Sequence, residues 1–85
     1  MRRSEGAIAR RVDDEVVILN VETGRYFALN ETGAAIWDRL EKDCTVTELV
    51  AVVVAAYDVD EQQATGDVED LVRHLADAGL VEESA

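Results

Sequence analysis

The chain has 85 residues, 48% hydrophobic and 32% charged, and its 19 acidic against 8 basic side chains give a net charge of -11. That size suits one domain over residues 1–85 with a single modest core, and the composition is neither that of a disordered chain nor that of a membrane protein. The acidity repels a phosphate backbone and counts against nucleic-acid partners, while the single cysteine, Cys44, leaves no internal disulfide or thiolate cluster to form.

Arg2 and Arg3 are followed by Ser4, Glu5 and Gly6 rather than by an apolar stretch, so no export signal is expected. The longest apolar run, residues 49–57, is too short to cross a bilayer, and the protein is expected in the cytoplasm without a membrane partner. Residues 7–12 read as a first strand, Asp13 and Asp14 as a turn, and residues 15–21 as a buried strand carrying VVILNV. Glu22, Thr23 and Gly24 supply a hairpin loop, Gly24 being free to take positive φ, and residues 25–29 return as a third strand.

Asn30 or Thr32 can cap a first helix, in which Ala34, Ile36, Trp37 and Leu40 keep helical spacing to about Lys42. Thr45 and Glu48 form a capping-box pattern opening a second helix to about Tyr57. ELVAVVVAAY is apolar almost all round, so this helix is expected to be the most buried, held by packing against the low propensity of its valines. Residues 58–61 offer alternative caps for a third helix, where Val68, Leu71, Val72 and Leu75 repeat at i, i+3, i+4 and i+7. Gly66 interrupts its start, which is expected to fray or begin later, and Gly79 fits a left-handed C-terminal cap. Leu80 and Val81 are expected to pack back on the core before an acidic tail. Three strands followed by three helices give an α+β class, for which a winged helix-turn-helix is the natural candidate.

The chemistry-bearing residues do not assemble into a catalytic set. His74 is the one histidine; Asp70 and Asp67 share its helical face, yet a lone histidine on an acidic helix is more often solvated than ligating. Asp58, Asp60 and Glu61 resemble the opening of a calcium loop, but Gln62 and Gln63 stand at its next positions and helix capping explains the acids better. Cys44 reads as a small hydrophobe rather than a nucleophile. Ser4 and Ser84 fall in loose chain ends, unlike the helix-start serine of a phosphopantetheine carrier. Trp37 and Phe27 are expected in the core. Tyr26 and Phe27 alternate along a strand, so one of them is left for a partner. No enzyme activity, metal or cofactor is expected.

The segments ETGRYFALNETGAAIW, TVTELV, AYDVD and DVEDLVRHLADAGLV resemble the PqqD-like family from about residue 16 to residue 81. That resemblance implies a leader-peptide recognition protein of ribosomally made, modified peptides, most like those of lasso-peptide pathways. It further implies a precursor leader adding as a strand beside the third strand and resting on the third helix, with a leader protease and a macrocyclase as further partners. The site residues it implies are Arg25, Tyr26, Phe27, Ala28 and Leu29 on the strand, with a groove of Leu71 and Leu75 and polar contacts from Asp67, Asp70 or His74. Which flank of the helix lines the groove, Asp67 with His74 or Glu69 with Arg73, stays open at the level of sequence. The exposed edge strand also allows a homodimer, and a winged-helix DNA-binding regulator is the alternative, which a basic recognition helix would be needed to support.

Overall fold

Alternation along residues 15–20 decides which way the sheet faces, because successive strand side chains point to opposite sides. Val16, Ile18 and Asn20 are buried, while Val17 is only partly covered and Leu19 is exposed. In the computed structural model, which describes residues 1–83, the elements are β1 (Arg2–Arg3), β2 (Ala7–Val12), β3 (Glu15–Asn20), β4 (Tyr26–Leu29), α1 (Glu31–Arg39), α2 (Val46–Ala56), α3 (Glu61–Asp77) and β5 (Val81–Glu82). Ser84 lies outside the described residues. The antiparallel sheet has the order β2-β3-β4, and β1 pairs with β5 in a separate two-stranded ribbon. This is the expected α+β arrangement, a winged helix-turn-helix in which α1 packs on one face of the three-stranded sheet, α2 packs on α1, and α3 packs on α2.

Local chemistry places the turns and helix starts. Asp13 takes φ 57 in the first turn and Gly24 takes φ 76 in the second. Asn30, rather than Thr32, caps α1, its Oδ1 accepting from Gly33 N at 3.0 Å. Thr45 and Glu48 cap α2 reciprocally, and Asp60 caps α3 by accepting from Gln63 N at 2.7 Å. Asp60 therefore serves a helix end rather than a calcium loop.

Several boundaries differ from those read in the sequence. The third strand begins at Tyr26 because Arg25 is spent on the hairpin: its carbonyl accepts from Asn20 N at 2.8 Å and its N–H donates to Thr23 Oγ1 at 3.2 Å. The first helix stops at Arg39, Leu40 being its C-cap, and α3 starts at Glu61 with Gly66 inside it. The expectation that α2 is the most buried helix fails. It buries Leu49, Val50 and Val53 against α1 and α3, but Ala51, Val54 and Ala55 stay exposed, because no further element covers its far side. The shorter α1 is the better buried, with Gly33, Ala34, Ile36 and Trp37 all inside.

Ser4 is not in a loose end either. Its N–H donates to Leu80 O at 2.9 Å, and Arg3 N–H donates to Leu40 O at 3.1 Å. Arg3 also reaches α1, where its Nε and Nη2 donate to Trp37 O at 2.9 and 2.7 Å while its guanidinium lies 4.7 Å from the indole centroid. A cation bonded to a last-turn carbonyl suits a helix C-terminus, and the indole face beneath it adds a cation–π contact.

Asn20 joins the sheet to the third helix. Its side-chain Nδ2 donates to Ala78 O at 2.9 Å and to Gly79 O at 3.3 Å, while its Oδ1 accepts from Glu22 N at 2.9 Å. Gly79 has φ +73, and a Cβ there would come within 2.7 Å of Asn20 Nδ2. The left-handed turn and the close approach both call for glycine. Asn20→Ala leaves the Ala78 carbonyl buried without that donor, which costs about 1–3 kcal/mol. Thermal unfolding followed by circular dichroism is therefore expected to show Tm lowered by at least about 4 °C; an unchanged Tm contradicts this role for Asn20.

Candidate functional site

Antiparallel pairing leaves β4 half satisfied. The bond from Asn20 N to Arg25 O fixes the phase, so the pairs Ile18↔Phe27 and Val16↔Leu29 exchange hydrogen bonds and the intervening pairs Leu19↔Tyr26 and Val17↔Ala28 do not. The N–H and C=O of Tyr26 and Ala28 accordingly point away from β3, along the open edge of the sheet. At the opposite edge Arg11 of β2 is tied to α1, donating from Nη2 to Asp38 Oδ1 and Oδ2 at 2.7 and 2.8 Å, and the pocket there is only about 190 Å³.

A cleft of about 400 Å³ adjoins the β4 edge, between the first turn of α1 and the side of α3. Leu29 and Ile36 form its apolar floor, Ala28, Asn30 and Thr32 its rim, and Asp67 and Leu71 its helical wall. Gly33 also lines it, and a Cβ on Gly33 would meet Leu29 Cβ at 2.9 Å. That glycine lets the start of α1 close onto β4.

The residues named from sequence separate into groups. Tyr26 is 70% exposed and lies on the outer side of the sheet, whereas Phe27 points inward and packs against the core. Ala28, Leu29, Asp67 and Leu71 meet at the cleft. Asp70 borders a shallower recess with Asp60, Gln63, Gly66 and Asp67. His74 is exposed and lines neither hollow. Arg25 sits in the hairpin with its backbone already used. Leu75, expected in the groove, is 0% exposed and belongs to the core, since the fourth residue along a helix is rotated about 40° from Leu71. The cleft thus lies on the Asp67 flank of α3 and not on that of Glu69 and Arg73.

Sequence reasoning gives Asn30 and Thr32 only as alternative caps and Ile36 only as core, and assigns Gly33 no role, although a glycine at the third residue after the cap is a signal of close approach. A second apolar feature was also missed. Register places Ile8, Leu19 and Tyr26 in one cross-strand row on the outer face of the sheet, with Val12 on the same side. Ile8 is 59% and Val12 52% exposed, and with Leu19, Tyr26 and Val21 they make up, among the described residues, all the exposed large hydrophobics except Val54 of α2. The hollow beside Val54, between Val50 and Ala51 of α2 and Thr65 of α3, is also about 400 Å³, but no open strand edge borders it.

The electrostatics favour contact with a peptide over contact with a phosphate backbone. Exposed α3 carries Glu61, Asp67, Glu69, Asp70 and Asp77 against Arg73, which is paired with Asp70 at 3.4 Å. A helix so charged opposes insertion into a DNA groove. Cys44 is buried in the core, and burial pushes its thiol pKa up, away from thiolate chemistry. Among the described residues no group of three or more His, Cys, Asp or Glu is placed to hold a metal ion, and no helix is long and apolar enough to cross a membrane.

Comparison with known proteins gives a consistent picture. The family model described as Coenzyme PQQ synthesis protein D (PqqD) matches residues 15–81. The fold matches TbiB1, solved in complex with the TbiA(beta) leader peptide, with TM-score 0.90 and 38% sequence identity over 100% of this chain and 99% of that one. It also matches a lasso peptide synthetase B1, solved in complex with the leader peptide, with TM-score 0.82 and 26% identity over 96% of each chain. No curated protein matches the chain in sequence.

The hydrogen-bond phase of β4 makes a direct prediction. In amide hydrogen exchange by NMR, Phe27 and Leu29 are expected to be protected and Tyr26 and Ala28 to exchange at least about tenfold faster, as unpaired edge amides do. Equal protection at all four positions contradicts an open edge.

Proposed function

The chain belongs to the PqqD family, and from that premise we propose that it is a peptide-recognition adaptor rather than an enzyme. It binds the leader segment of a precursor peptide as a strand added to β4, against α3, and presents the core peptide that follows to a leader protease and a macrocyclase in lasso-peptide-type biosynthesis. The observation that carries this reading is the open backbone of Tyr26 and Ala28 beside a cleft with an apolar floor. Strand addition satisfies such backbone groups, and alternate side chains of the added strand then reach the cleft on one side and the outer sheet face on the other. Two relatives with this fold are solved with leader peptides, which supports the same use here.

Presentation requires a surface that the leader does not cover. The row of Ile8, Leu19 and Tyr26 with neighbouring Val12 supplies an apolar one, and a leader strand on β4 extends it by one strand. The processing protease docks on this outer face, and holding the substrate there raises its effective concentration at the enzyme. Without leader, the same open edge can pair with β4 of a second copy, so leader and self-association compete for one site.

Fluorescence anisotropy with labelled synthetic leaders of the precursors encoded beside this protein is expected to show saturable binding. Ala28→Pro removes an outward N–H while leaving the β3 ladder intact, a position where proline is tolerated. Affinity is expected to fall about tenfold or more with the circular dichroism spectrum retained; binding that survives this change, or no binding by the unaltered protein, refutes the strand-addition model. Ile8→Lys is expected to leave leader affinity within about twofold yet slow leader removal by the purified protease about tenfold or more, as a charge in an apolar contact does. Unimpaired cleavage removes the outer face from the reading.

A further inference from the structure

Gly66 is a helix-interior glycine that the protein's own fold does not need. It lies within α3, past the Asp60 cap and its first turn, where glycine weakens a helix relative to alanine. Its φ is not in the positive region that marks Gly24 and Gly79, and a Cβ built on it meets nothing within 4 Å. Neither backbone conformation nor internal packing therefore accounts for the missing side chain. Glycine is also used where another chain or a ligand approaches the backbone closely.

The surroundings identify that approach. Gly66 lines a recess of about 350 Å³ with Asp60, Gln63, Asp67 and Asp70, and Asp67 also lines the cleft beside β4. The two hollows adjoin at Asp67, so a chain paired with β4 has an open route past Leu29 towards Gly66. Gln63 is available to meet it. Its Nε2 is split between Asp67 Oδ1 and Oδ2 at 3.3 Å each, long bonds that a peptide carbonyl can replace.

We infer that Gly66 is a peptide-binding residue, the point at which the leader segment flanking the β4-paired strand crosses α3 with its main chain close to the helix. The inference rests on the leader-binding reading and extends it by a second contact region, selecting leaders whose flanking segment lies flat enough to use the space that a side chain at 66 fills.

The test sets stability against affinity. Gly66→Ala and Gly66→Leu are compared with the unaltered protein and with Glu69→Ala, an exposed position on the other flank of α3, using the fluorescein-labelled leader of the neighbouring precursor and the TbiA(beta) leader as a second probe. Gly66→Ala is expected to raise Tm by about 4 °C, as helix propensity requires. It should also weaken leader binding about tenfold, because an added methyl group overpacks the contact. Gly66→Leu should weaken binding further, and Glu69→Ala should bind within about twofold of the original. Unchanged affinity in both Gly66 variants overturns the inference while leaving the leader-binding reading intact. A lowered Tm in Gly66→Ala overturns it too, since the fold would then need the glycine. Failure of the unaltered protein to bind either probe overturns the reading and the inference together.

Discussion

The bond from Asn20 to the carbonyls after α3 is the constraint on which the candidate site depends. The cleft has two walls from distant parts of the chain, β4 with the start of α1 on one side and α3 on the other. Contacts of α1 with the sheet fix the first wall, and Trp37, Ile36 and Leu29 in the shared core hold it. The second wall reaches the sheet through Asn20, at the end of β3 where the hairpin into β4 begins. A buried amide that donates to two carbonyls and accepts from the loop is directional in a way that apolar contact is not. Hydrophobic burial holds α3 against the core, and Asn20 sets where along the sheet it stops.

The sheet has two faces and two edges, and the faces and the β4 edge meet different environments. The inner face is core. The outer face is apolar yet exposed, and the β4 edge is open, two features that ordinarily invite self-association. β4 is only four residues long, which weakens edge-to-edge pairing. The net charge of -11 adds repulsion between copies. A body of this charge opposes edge-to-edge pairing of copies, and added salt screens that repulsion.

What was legible in the sequence follows the range of the physics involved. Thr45 with Glu48, Gly24 and Gly79 act through bonds and dihedral angles within a few residues and are legible in the sequence, as is the cap of α1 up to the choice between Asn30 and Thr32. β1 and β5 span two residues each, too short for any periodic pattern, and their pairing joins the two ends of the chain. The all-apolar run of α2 shows that the helix is buried somewhere, but not that its far side lacks a neighbour. Likewise the i, i+4 pair Leu71 and Leu75 promises one shared stripe. The modest rotation between them places one at the cleft and the other in the core, and only the position of β4 decides which. Ile8 and Val12 sit on an outer face that no described element covers, a fact about topology rather than pattern.

Backbone pairing alone does not give this site its selectivity. Four outward groups on Tyr26 and Ala28 can form up to four hydrogen bonds, worth about 0.5–1.5 kcal/mol each in net terms, or roughly 2–6 kcal/mol together. Ordering a flexible peptide costs about 2–5 kcal/mol, so the two nearly cancel. Any main chain gains the same bonds, so they cannot distinguish one leader from another. Discrimination must come from side chains, and fully burying one apolar side chain contributes about 1.5–3 kcal/mol, close to a factor of 10 or more in affinity. A cleft of about 400 Å³ floored by Leu29 and Ile36 has room for such a group, with Asp67 at its wall to discourage an acidic one. A strand edge of this kind offers an extended main chain its hydrogen bonds, while the cleft and the face of α3 beyond it offer the side-chain contacts that can tell one peptide from another and set its register.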